Sequence, residues 1–111
     1  MNNIKNDRYY INKIIENIDI ILQNTKGITL RELEKNVILQ DSVMFRFVQI
    51  AENSQELTDE FLEKNNDLPW HQLNAIRNRI VHAYDIIRLD IIYDTVMNDL
   101  KPFKEELLSR I

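Results

Sequence analysis

The chain contains no cysteine, which excludes a disulfide scaffold, a Cys-type zinc site and a thiol nucleophile. Two histidines are too few for a His-rich zinc centre, although carboxylates could complete one. A single glycine excludes a P-loop or a dinucleotide-binding turn, both of which need several, and argues against a β-sandwich with its many tight turns. No apolar run approaches the ~20 residues that span a bilayer. The opening stretch, MNNIKNDRYYINK, lacks the apolar segment of a signal peptide, so the cytoplasm is the expected location. Positive charge is also in short supply: 14 Lys and Arg stand against 18 Asp and Glu, a net −4. That balance disfavours a broad nucleic-acid-coating surface but leaves room for a small basic site.

What remains is enough for one core. With 44% hydrophobic and 29% charged residues over 111 positions, the chain is expected to form one domain, residues 1–111, burying about two thirds of its unfolded surface. Its periodicity is helical almost throughout. Tyr10, Ile11, Ile14, Ile15, Ile18, Ile21 and Leu22 fall in an arc of roughly 140° on a helical wheel and predict a helix over about residues 7–24. Gly27 is placed to stop it. Thr29 and Glu32 form a capping box that opens a short helix ending near Asn36. A long helix follows over about residues 38–57, apolar over much of its circumference, and Thr58–Phe61 opens another short turn. Pro69 and Trp70 start a helix that runs to about Ala83. Asp90 is a plausible N-cap for a last helix over about residues 91–110, kinked rather than broken at Pro102. The expected fold is all-α: an antiparallel four-helix bundle with one or two short extra helices.

The helix from Trp70 violates its own pattern. With Trp70 at 0°, the apolar residues Leu73, Ile76, Ile80, Val81, Ala83 and Tyr84 lie between roughly 220° and 20°, and Arg77 lies inside that stripe at roughly 340°. A guanidinium does not shed its proton, so it must be paired, reach out to water, or face an anion or a second chain. Glu52 is the in-chain candidate for the pairing. His82 lies at roughly 120°, beside Asn78 and His71; a lone exposed histidine is usually only that. Here, however, His71–Arg88 carries three Arg and one Asp, whereas the rest of the chain has eleven basic and seventeen acidic residues. This local reversal of sign points to a phosphate ligand. Tyr84 returns to the Arg77 side, as a rim aromatic or as a hydroxyl open to bonding or modification.

Arg77 through Tyr84 fits the pattern R-x4-H-x-Y, which a shuffled chain of this composition would show about half a per cent of the time. Together with Leu68-Pro69-Trp70, Ile76-Arg77-Asn78, Val81-His82-Ala83-Tyr84, Asp90-Ile91 and Asn98-Asp99-Leu100, it resembles the HepT family of the HEPN superfamily. The departures are Ala51-Glu52, where members often carry Gly-Glu, and Ile76, where they often carry Met. The resemblance implies a homodimer whose motifs line a shared cleft. It implies a metal-independent endoribonuclease without a cofactor, acting as the toxin of a toxin–antitoxin pair. Arg77 and His82 would be its catalytic residues, supported by Asn78, Arg79 and Glu52. The implied antitoxin is an MntA-type minimal nucleotidyltransferase that transfers AMP to the motif tyrosine, here Tyr84. Two other readings stay open: a non-catalytic module that binds a nucleotidyltransferase or a nucleotide, and a structural bundle with no ligand.

Overall fold

A computed structural model describes residues 3–111, with side chains from Asn6 onward; residues 1 and 2, the start of the stretch read above for a signal peptide, lie outside the described residues. Among these, the helices are α1 (Asn3–Asn24), α2 (Leu30–Glu34), α3 (Val37–Gln55), α4 (Asp59–Lys64), α5 (Trp70–Ala83), α6 (Leu89–Asn98) and α7 (Leu100–Ser109), with a 3-10 turn at Tyr84–Ile86 between α5 and α6. The all-α bundle expected from the periodicity is what forms. Among the described residues, no helix is long and apolar enough to cross a membrane.

Each boundary has a local cause. Gly27 sits at φ 73°, and no atom within 4 Å crowds its missing Cβ, so its backbone angle alone calls for glycine there. The Thr29 hydroxyl accepts from the Glu32 amide at 3.1 Å while Glu32 accepts from the Thr29 amide at 2.9 Å. Asn36 and Thr58 cap α3 and α4 with one bond each, their side chains accepting from the Leu39 and Phe61 amides.

Helix α3 is the central element, packed on α1 and on α5, while α1 also packs on α7. Its pairings with α1 and α5 are antiparallel. Asp7 and Asn17 of α1 meet Thr58 and Arg46, and Asn74 and Arg77 of α5 meet Gln55 and Glu52. The seams close over a shared core in which Ile14, Ile18, Phe47, Ile50 and Leu107 are essentially fully buried. Burying each such side chain is worth about 1.5–3 kcal/mol. Trp70 anchors the start of α5: its indole N–H donates to the Asn65 carbonyl at 2.9 Å and its ring meets Phe61 and Phe103 edge-on.

Three expectations are corrected. The last helix is not one kinked rod; it divides at Asp99 into α6 and α7. Pro102 then stands in the first turn of α7, where amide groups have no intrahelical partner and its missing N–H costs nothing. Asp90 is not the N-cap of α6. That place belongs to Arg88, and Asp90 lies in the first turn, where it takes the Arg88 guanidinium in two bonds of 2.9 and 2.7 Å. Val81, at the edge of the apolar stripe that predicts the buried face of α5, is 49% exposed.

Candidate functional site

The seam between α3 and α5 carries the residues singled out above. On α5 the positions 74, 77 and 81 fall at i, i+3 and i+7, one stripe of the helix, and Tyr84 follows just past its end. On α3 the facing stripe is 38, 41, 45, 52 and 55. Across them, Gln55 donates to Asn74 at 3.2 Å, Arg77 meets Glu52, and Tyr84 reaches Asp41.

Arg77 is half-buried at this seam. Its Nη2 donates to Glu52 Oε1 at 3.1 Å and its Nη1 to Asn78 Oδ1 at 3.0 Å. Its Nε is buried with no partner among the described residues. Glu52 is therefore the pairing partner the wheel suggested, but the pair leaves one donor of the guanidinium unsatisfied. A buried N–H without a partner costs about 1–3 kcal/mol, and native structures retain few of them.

Asn78 and His82 are exposed on the outer side of the same helix. On the wheel, Arg77 and His82 diverge by roughly 140°, with Asn74, Val81 and Asn78 between them. The strip from Arg77 to His82 is thus a polar and cationic edge around one exposed valine. One copy of α5 presents these groups but does not converge them.

Arg79 points elsewhere. It is exposed, enters no ion pair among the described residues, and lines a cavity of about 240 Å³ with Ile76, Ala83, Ile86, Ile87, Arg88, Ile91 and Ile92. On the wheel it is one turn from His82 and on the far side of α5 from Arg77.

Tyr84 leaves the helical path because Ala83 adopts φ −147° and ψ 41°, which ends α5 and begins the 3-10 turn. Its hydroxyl donates to Asp41 Oδ1. Partial burial, and then the adjacent Asp41 carboxylate, push its phenol up to about 12. Asp41 is the residue that reasoning from the sequence missed. It lies 43 positions from Tyr84, and no local periodicity links the two. The weak available signal was an acidic residue in a stripe otherwise marked by the exposed Ile38 and Phe45.

Arranged in this way, the edge can do three things. The guanidinium can hold phosphate oxygens, the imidazole can exchange protons, and the tyrosine can serve as an acceptor hydroxyl. Comparison with known proteins identifies the family. A model of the family described as Ribonuclease HepT-like matches residues 14–109. A Methanocaldococcus jannaschii protein, named as a gamma-glutamylcyclotransferase and provisionally as an RNase, is 33% identical over 105 residues; these are 95% of this chain and 47% of that protein. The chain therefore spans about half the length of that relative. A provisionally named RNase of Caldanaerobacter subterraneus is 23% identical over 94% of this chain and 93% of its own length. A second Methanocaldococcus jannaschii protein, also provisionally named as an RNase, is 30% identical over 91% of this chain and 87% of its own length. No solved structure gives a significant match.

Proposed function

Because the chain belongs to the ribonuclease HepT-like family, we propose that it is a metal-independent RNA endonuclease whose cleft forms between two copies of the chain. The observation that carries this reading is Arg77. It is a cation set into an apolar stripe, incompletely satisfied by its own chain, on the edge that also presents Asn78 and His82. A two-fold axis passing near Val81 would bury that exposed valine against its copy. It would also set the Arg77 of one protomer toward the His82 of the other, groups that a single helix holds apart.

In that cleft the ribose 2′-hydroxyl attacks the adjacent phosphorus. His82 exchanges the proton with the attacking or the leaving oxygen, and Arg77 holds the non-bridging oxygens as charge builds on them. The bond to the 5′-oxygen of the next nucleotide breaks, leaving a 2′,3′-cyclic phosphate. Glu52 orients the Arg77 fork and Asn78 steadies it from within its own helix, while Arg79, on the far side of α5, adds positive charge outside the cleft.

The reading extends to biology. Residues 1–111 act as one cytoplasmic domain, the toxin of a toxin–antitoxin pair. An MntA-like nucleotidyltransferase neutralises it by adding AMP to Tyr84, placing a bulky anion where RNA phosphate must enter. Incubation of the purified protein with RNA in EDTA tests the chemistry. Cyclic-phosphate ends are expected, and they disappear in His82→Ala; activity lost to chelator, or retained by that variant, overturns the mechanism.

One observation favours a second reading. Arg77 already has an in-chain carboxylate partner in Glu52, as a bundle without RNA chemistry predicts. Co-purification with a nucleotidyltransferase, with no cleavage by the free protein, would select a non-catalytic binding module.

A further inference from the structure

Tyr84 and Asp41 form a contact that RNA cleavage as described above does not use. The tyrosine is 42% exposed, so its ring edge is reachable, yet its hydroxyl proton is directed at a carboxylate of another helix. Asp41 is itself exposed and enters no ion pair among the described residues, so no cation neutralises it. A carboxylate without a counter-ion, in contact with a phenol hydroxyl, has the components of a general base and its nucleophile.

We propose that Asp41 is the proton acceptor when a nucleotidyl group is transferred to Tyr84, an inference that rests on the reading of Tyr84 as the modified residue. The Tyr84 oxygen attacks the α-phosphorus of a nucleoside triphosphate. The oxygen–phosphorus bond forms, the bond from that phosphorus to the pyrophosphate oxygen breaks, and the phenol proton passes to the Asp41 carboxylate and then to solvent. Nothing is oxidised or reduced.

The need for such a group follows from the phenol. With its ionisation pushed up to about 12, Tyr84 is almost wholly protonated near neutrality, and a protonated phenol is a poor nucleophile. Asp41 raises the cost of the free phenolate, but it takes the proton as the new bond forms, so no free phenolate is needed. After transfer, the hydroxyl proton is gone and the new phosphodiester is negative. The same carboxylate then repels the product and turns the nucleotide away from α3.

The test compares wild type, Asp41→Asn, Asp41→Ser and Asp41→Glu. Each is incubated with a purified MntA-type nucleotidyltransferase, magnesium and labelled ATP, and label on Tyr84 is followed by mass spectrometry, with Tyr84→Phe as the blank. Asn and Ser still present a neutral oxygen to the phenol but do not take up its proton. Both are expected to slow labelling by about 100-fold or more, while Glu keeps it within about tenfold. Because Asp41 is exposed, the variants should fold, and a thermal melt of each checks this. Labelling of Asn and Ser variants within threefold of wild type overturns the inference alone. A wild-type chain that takes no label on Tyr84 overturns the modification reading itself, and this inference with it.

Discussion

Replacing Arg77 by Met separates a functional arginine from a structural one. The wild-type side chain holds a buried, unpartnered Nε, which costs about 1–3 kcal/mol. Against that stand its two bonds. The pair with Glu52 joins side chains that are 25% and 44% exposed, and contacts this wet contribute about 0–1 kcal/mol. The bond to Asn78 is exposed and contributes about 0.5–1.5 kcal/mol. Met keeps an unbranched stem in the stripe, and Glu52, 44% exposed, can be solvated when its partner goes. The terms nearly cancel. Arg77→Met should therefore change the unfolding free energy by no more than about 1 kcal/mol in either direction, or about 4 °C in Tm for a chain of this size. RNA cleavage should fall by about 10²–10³-fold, the loss expected when a transition-state charge partner is removed. Urea unfolding at one fixed protomer concentration gives the first number, and cleavage of a short labelled RNA gives the second. A loss of more than about 2 kcal/mol would make Arg77 a structural pillar. Unchanged cleavage would remove it from the chemistry.

Three further outcomes are expected. Asp7 is buried and accepts the Thr58 amide at 2.8 Å and its hydroxyl at 2.7 Å, tying α1 to the start of α4; Asp7→Ala should cost about 2–4 kcal/mol in urea unfolding. Thr29→Ala removes one half of the capping box and should cost about 1 kcal/mol by the same measurement. Tyr84 ionises at about 12 in the folded chain against an ordinary 10.0, so folding favours the protonated phenol. That contribution is complete below pH 10, fades as pH rises toward 12, and is absent in Tyr84→Phe; the difference in Tm between the two proteins across this window reads it.

The bundle was legible in the sequence because its causes are local. The i, i+3, i+4 spacing of Ile11, Ile14, Ile18 and Ile21 selects the buried face of α1, and all four are essentially fully buried. Gly27 and the Thr29–Glu32 box mark ends that need only their own neighbours. The pairing of Arg77 with Glu52 was also within reach, because a cation in an apolar stripe demands a carboxylate and few are placed to supply one. The misreadings have a common origin. A wheel assigns angles around one helix but does not say where its neighbours lie, so the apolar stripe of α5 includes Val81 although no described helix covers it. A proline inside a helical run predicts a kink at Pro102, but the chain restarts the helix at Leu100 and places it in the first turn. The bonds from Asp41 to Tyr84 and from Asp7 to Thr58 join residues 43 and 51 positions apart, and only packing reveals such pairs.

Subunit mixing tests most directly whether one protomer's guanidinium works with the other's imidazole. Arg77→Ala and Arg77-intact His82→Ala proteins, each inactive alone, are unfolded together, refolded at equal concentration and assayed on RNA. Random pairing makes half of the dimers mixed, and each mixed dimer keeps one intact Arg77–His82 pair out of two, so about a quarter of wild-type activity should return. A mixture as inactive as its parents, or a wild-type protein that is active as a monomer, would contradict the shared cleft.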